Sequence, residues 1–171
     1  MPFTRNTSDL RAALFRIEAR GTTALYDGLE TALVHLKAGA RQRKALVLLS
    51  DGADNDSATT LKDVLRAAQQ SSATIYSIGF YDPFDKTRNP GVLKQLAKVT
   101  GGEAYFPKRP ADLNEIWPRI ARSIRGQYTI GYNSSNPLRD GAYREVKITA
   151  VDNRGKPLDV HARPGYFASS H

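Results

Sequence analysis

The sequence predicts an α/β fold, a parallel sheet with helices packed on it, followed by a β-rich antiparallel extension. Three observations lead there. The runs "KALVLLS" (44–50) and "ATIYSIGF" (73–80) are short, apolar and free of polar alternation, as in parallel strands covered on both faces. Helical patterns of about ten residues surround them, which indicates right-handed βαβ crossovers. After Gly126 the rhythm changes to short alternating segments. The chain therefore divides into an α/β part, 1–126, and a β-rich extension, 127–171.

In order, residues 8–19 place Leu10, Ala13, Leu14 and Ile17 on one helical face, with Thr7 or Ser8 as N-cap. After Gly21 a second helix gathers Leu25, Leu29, Ala32, Leu33 and Leu36, although Gly28 inside it costs about 1 kcal/mol relative to alanine. The strand at 44–50 follows. Thr60 opens a helix with Leu61, Val64, Leu65 and Ala68 inward, and Asp63 completes a capping-box-like pattern. After the strand at 73–80, Asn89-Pro90 starts a helix that buries Val92, Leu93, Leu96 and Ala97 and stops at Gly101-Gly102. "EAYF" is a short strand. The last helix carries Leu113, Ile116, Trp117, Ile120 and Ile124, with Pro118 predicted to kink it or make it start late. In the extension, 127–132, 143–151 and 158–164 read as strands, the latter two joined through "DNRGKP".

Composition narrows the function. Hydrophobic residues at 40% and charged residues at 25% are those of a globular protein. No run is long and apolar enough for a membrane span, and the first residues lack the pattern of a signal peptide. On this reading the protein is cytoplasmic, or exported if its true start lies upstream. Zero cysteines exclude disulfides and Cys-ligated metals. The formal net charge of +8 is spread over Arg5, Arg11, Arg16, Arg20, Arg41, Arg43, Lys44, Arg119, Arg122 and Arg125 without interleaved aromatics, so nucleic acid is not expected as a partner.

Ligands of an open parallel sheet bind beyond the carboxyl ends of its strands. Ser50 and Asp51 stand there, at the end of the greasiest strand, in "LLSDGADN". A carboxylate in that position can be solvated, bound by backbone N–H groups, or coordinated to a cation. "ARGTTALYDGL" (19–29) places two threonines after a glycine at a helix entry, which alone reads as an N-cap.

Taken together, the two segments resemble the second and third metal-site motifs of the von Willebrand factor A (VWA) family. "IYSIGF", "LAKVTGGEAYFP", "QYTIGY" and "GYF" (165–167) extend the resemblance over nearly the whole chain, to a bacterial subgroup with a β-rich tail. The resemblance implies a doubly wound, Rossmann-like sheet with Mg²⁺ or Mn²⁺ at its top, held here by Thr23 (or Thr22, in the other register) and Asp51. Hard divalent cations choose oxygen ligands, and Mg²⁺ commonly keeps several waters. A partner's acidic side chain then completes the coordination.

The family's Asp-x-Ser-x-Ser motif is absent, since "DNDSATT" (54–60) has the wrong spacing and position. On this reading the chain holds the C-terminal half of the VWA sheet, unaided cation binding is weak or absent, and the strand at 44–50 lacks a neighbour. Self-association, or pairing with a separately encoded first half, follows from that exposed edge.

Other chemistry finds little footing. His35, His161 and His171 are far apart in sequence, Ser50 is not in a G-x-S-x-G elbow, and neither phosphate-loop pattern occurs. Asp27, Asp54 and Asp56 read as solvated polar positions rather than as acids that support the cation site. The sequence therefore points to a non-enzymatic module that binds a protein ligand through an incomplete cation site. A metal-independent assembly module pairing through its sheet edge is the alternative, and a phosphoryl-transfer enzyme using Asp51 ranks behind both.

Overall fold

The computed structural model describes residues 3–16, 21–81 and 87–170. Ile17, Arg20 and His171 lie outside the described residues. The elements are α1 (Thr7–Phe15), α2 (Leu25–Lys37), β1 (Lys44–Ser50), α3 (Leu61–Gln70), β2 (Ala73–Gly79), α4 (Pro90–Thr100), β3 (Ala104–Tyr105), α5 (Leu113–Arg125), β4 (Tyr143–Glu145) and β5 (Gly165–Phe167). The first three strands form a parallel sheet in the order β1-β2-β3, and β4 and β5 form a separate antiparallel pair. No helix among the described residues is long and apolar enough to cross a membrane.

β2 is the central strand, and its alternation divides the core. Ala73 and Ile75 pack with Leu25, Leu29 and Leu33 of α2, Val64 and Ala68 of α3, and Val92 and Leu96 of α4. Tyr76 and Ile78 point the other way, onto Ile116 and Ile120 of α5. Ile75 lies where β3 has not yet begun to pair, and its N–H is taken instead by the Thr100 hydroxyl at 2.9 Å. Gly102 admits the Ile75 carbonyl, which a Cβ would meet at 2.0 Å.

β1 is covered on one face only, which corrects the expectation of two. Leu46 and Leu48 pack against the α2–α3–α4 core. On the opposite face α5 sits over β2, and of β1 Ala45 packs against that cluster while Val47 and Leu49 remain 41% and 59% exposed. The same lack of a neighbour governs α1. It forms as the periodicity predicts, capped by Asn6 rather than Thr7 or Ser8, yet it buries no residue and Phe15 is 87% exposed.

The later helices follow their signals. The Thr60 hydroxyl accepts from Asp63 N and donates to the Asp63 carboxylate, and Asn89 caps α4 with Pro90 in its first turn. α5 runs from Leu113 through Pro118 to Arg125, so it does not start late. The ring sits on the exposed side of the helix, where the carbonyl of Asn114, deprived of its N–H, faces water. Trp117 is exposed beside it rather than inward.

The extension has less regular structure than predicted. Residues 127–132 and 158–164 are not strands, and the segment 143–151 is a strand only at 143–145. β4 pairs with β5, and a Val151–Pro157 bridge marks the far end of the same irregular hairpin, with "DNRGK" at its turn. Arg163 fastens this hairpin to the body: its guanidinium donates to Gln69 O at 3.1 Å and Ala73 O at 2.6 Å.

Candidate functional site

β1 ends in two tight side-chain turns. Ser50 Oγ accepts from Gly52 N at 3.0 Å, and Asp51 Oδ1 accepts from Ala53 N at 2.9 Å. Gly52 has φ 81° and is buried against the start of α4, where Asn89 N donates to Asp51 O at 2.9 Å. An added Cβ at Gly52 would stand 2.2 Å from Asn89 O. The glycine of the Asp-Gly pair is therefore required twice, by its dihedral and by the backbone laid across it.

The entry to α2 is built from outside. Its N-cap is Ala24, which has no side-chain oxygen to offer. The free N–H groups of the first turn are met instead by the loop after β1. Tyr26 N donates to Asp54 Oδ1 and Ser57 Oγ, both at 3.1 Å, and Asp27 N donates to Ser57 Oγ at 3.2 Å. Ser57 Oγ in turn donates to Asp54 Oδ1 at 2.5 Å. Thr23 N donates to Asn55 Oδ1 at 2.8 Å while Asn55 N donates to Thr23 O at 3.0 Å. The Thr22 hydroxyl donates to Asp56 Oδ2 at 2.6 Å.

From α2 the Asp27 carboxylate reaches back, accepting from Ala58 N at 2.9 Å and Thr59 N at 2.8 Å. The Thr59 hydroxyl and these backbone donors hold the Asp27 carboxyl below its usual range. Burial, and then the negative charge of Asp54, push the Tyr26 phenol up.

The structure thus joins the two predicted loops, with Thr23 exposed and Asp51 half-buried. Thr22, Asp27, Asp54, Asn55, Asp56 and Ser57 all spend side-chain atoms on lacing the loops together. Thr23 Oγ1 and Asp51 Oδ2 make no hydrogen bond to any described residue. The use of Thr22 on Asp56 singles out Thr23 as the free hydroxyl of the pair.

Asp54 and Asp56 are loop acids and Asp27 stands in the first turn of α2, and all three are hydrogen-bonded rather than merely solvated. Asn55 and Ser57 were missed as contributors, because their bonds to the entry of α2 span 30 residues or more. A capping signal lay in the sequence nonetheless: a helix entered through Ala24 needs donors satisfied from elsewhere, and "DNDS" is rich in suitable acceptors.

As a cation site the donors fit in kind and fall short in number. Both free atoms are hard oxygens, the type Mg²⁺ and Mn²⁺ select. Among the described residues, however, no group of three or more His, Asp or Glu side chains could hold a metal ion. The histidines are engaged separately: His35 stacks on Phe3 at 4.4 Å, and His161 lies 3.4 Å from Asp159 and 3.8 Å from Glu103.

The family model of the von Willebrand factor type A domain matches residues 1–118. No curated protein matches the chain. Among solved structures, an aerotolerance-related membrane protein from Bacteroides fragilis, carrying multiple mutations to serine, aligns with a TM-score of 0.56 at 16% identity. The conserved hypothetical protein BatB from Bacteroides thetaiotaomicron aligns with a TM-score of 0.52 at 15% identity. Each alignment covers 74% of this chain and 73% of the other. An uncharacterized membrane-spanning protein from Vibrio fischeri is 24% identical, over 69% of this chain and 66% of its own, with a TM-score of 0.41. At these identities the first two likenesses show a shared fold.

Proposed function

Because the chain belongs to the von Willebrand factor type A domain family, whose members are generally protein-interaction modules, we propose that it is a non-enzymatic module that binds an acidic group of a protein ligand at the Thr23–Asp51 loops. One observation carries this reading. The lacing brings the 19–29 loop against the loop that follows β1, and there the Thr23 hydroxyl and one oxygen each of Asp51, Asp54 and Asp56 make no hydrogen bond to any described residue. The lacing itself is what a preorganised binding face needs, since loops held in place lose little freedom when a ligand arrives.

Mg²⁺ or Mn²⁺, when bound, would supply a positive centre for the ligand's carboxylate, with the Thr23 hydroxyl and the Asp51 carboxylate as the holding residues. With only these two protein donors, the affinity expected for the cation alone is on the order of 10⁻³ M or weaker. A carboxylate ligand adds a third donor and should tighten the cation.

The test is a Mn²⁺ titration followed by electron paramagnetic resonance, on the wild type and on Asp51→Ala, Thr23→Ala and Thr22→Ala. The first two substitutions should abolish binding. Thr22→Ala, which removes only the tie to Asp56, should leave it in place. Equal Mn²⁺ binding by the wild type and Asp51→Ala, or none by the wild type at millimolar Mn²⁺ even with excess acetate, sinks the cation reading.

A further inference from the structure

We propose that the groove between α3 and the C-terminal hairpin binds a medium-chain fatty acid, its alkyl chain on Leu61, Leu65, Val99 and Phe167 and its carboxylate held by Lys62 and Arg66. The site shares no residue with the Thr23–Asp51 loops and requires no metal ion.

The walls come first. Leu61 and Leu65 stand one turn apart on α3, and Lys62 and Arg66 form the neighbouring row. Leu61, Leu65 and Val99 pack against the α2–α3–α4 core yet are only half-buried, so each keeps apolar surface for the groove. Phe167 closes the other side from β5, fixed by its edge-on contact with the Tyr143 ring at 5.2 Å and by the pairing of β4 with β5. Arg163 ties that hairpin to Gln69 O near the end of α3, and Gln69 itself lines the groove. The cavity so formed measures about 700 Å³, within the range of small-molecule sites.

The charge on these walls selects the occupant. α3 and α4 carry the cations Lys62, Arg66, Lys94 and Lys98 against a single acid, Asp63, which accepts from the Thr60 hydroxyl at the start of its own helix. Lys94 lies over the Phe106 ring, but Lys62 and Arg66 line the groove and form no ion pair with a described residue. Arg66 Cζ stands 5.7 Å from the centroid of the Phe167 ring. A guanidinium placed over an aromatic face keeps its N–H edge free, and that fork matches both oxygens of one carboxylate. Lys62, one turn earlier, adds a second positive charge. The groove thus suits an apolar body with one anionic head. A peptide is the poorer occupant, because α3 and α4 spend their main-chain groups inside their own helices and offer it no strand edge.

Decanoate, titrated below its micelle-forming concentration and followed by proton–nitrogen correlation NMR, should shift the amides of α3, Val99 and Phe167 with a Kd on the order of 10⁻⁴ M. Octanoate should bind roughly tenfold more weakly, as expected when two methylenes are lost from an apolar contact. Decyltrimethylammonium, the same chain length with the opposite head, should not bind. Lys62→Glu combined with Arg66→Glu, both at exposed positions, should raise the decanoate Kd about a hundredfold and admit the ammonium instead.

No shift at millimolar decanoate overturns the proposal. Equal affinity for decanoate and decyltrimethylammonium overturns it too, since that marks a merely apolar surface, and so does decanoate binding indifferent to the double variant. Shifts confined to other exposed apolar residues, such as Val47 and Leu49, place the ligand elsewhere and refute the groove. Should the double variant fail to fold, the two single variants and the comparison of head groups on the wild type decide the matter.

Discussion

Gly52→Ala tests how the Asp51 loop is held. At φ 81° an L-residue carries a penalty of about 1–2 kcal/mol. The new methyl would also lie 2.2 Å from Asn89 O and 3.2 Å from the Leu93 side chain, so the start of α4 must retreat. Overpacking of this sort costs about 1–3 kcal/mol. Retreat stretches the Asn89 N to Asp51 O bond, worth about 1 kcal/mol. The sum, roughly 3–6 kcal/mol, is a large share of the 5–15 kcal/mol that a folded domain of ordinary stability possesses. Gly21→Ala provides the control, because Gly21 has φ 74° but nothing within 4 Å of its added Cβ. It should lose only the dihedral penalty. With about 2–4 °C per kcal/mol for a chain of this size, thermal melts followed by circular dichroism should fall by roughly 10 °C or more for Gly52→Ala and by about 5 °C for Gly21→Ala. Equal losses would refute the claim that the Asn89 backbone lies across Gly52.

Arg163→Ala removes the two bonds that tie the hairpin to Gln69 O and Ala73 O and should cost about 2–3 kcal/mol; limited trypsin digestion should then cut beyond residue 126 sooner, and an unchanged cleavage rate would count against the anchor. Ser77 Oγ is buried without a hydrogen-bond partner, so Ser77→Ala should stabilise by about 0.5–1 kcal/mol in urea denaturation, and a loss of stability there would mean the hydroxyl is bonded. Acid stability follows Asp27, whose folded carboxyl is held low by the Thr59 hydroxyl and by the Ala58 and Thr59 N–H groups. The folded state binds that proton less readily than the unfolded chain, so the stabilisation is full above the unfolded value near 4 and is lost as pH falls through the lower folded value. Asp27→Asn should be less stable than the wild type at neutral pH, with the gap closing in acid; a gap independent of pH would rule the linkage out.

What could be read from the sequence was local. Thr60 with Asp63, Asn89 with Pro90, and Gly101 act within a few residues of where they stand, the first two starting a helix and the last ending one as their chemistry dictates. "KALVLLS" declares a strand because an apolar run of that length has few other uses. Whether both faces are covered depends on where α5 lands, and α5 lands on β2. Residues 127–132 show the same limit: their alternation suits a strand, but no strand among the described residues pairs with them, and Tyr128 is 92% exposed. At the candidate site the motif spacing picked out Thr23 and Asp51, on two loops that the structure brings together. The lacing by Asp54, Asn55 and Ser57 was not legible, since it forms only when two loops some thirty residues apart are brought together.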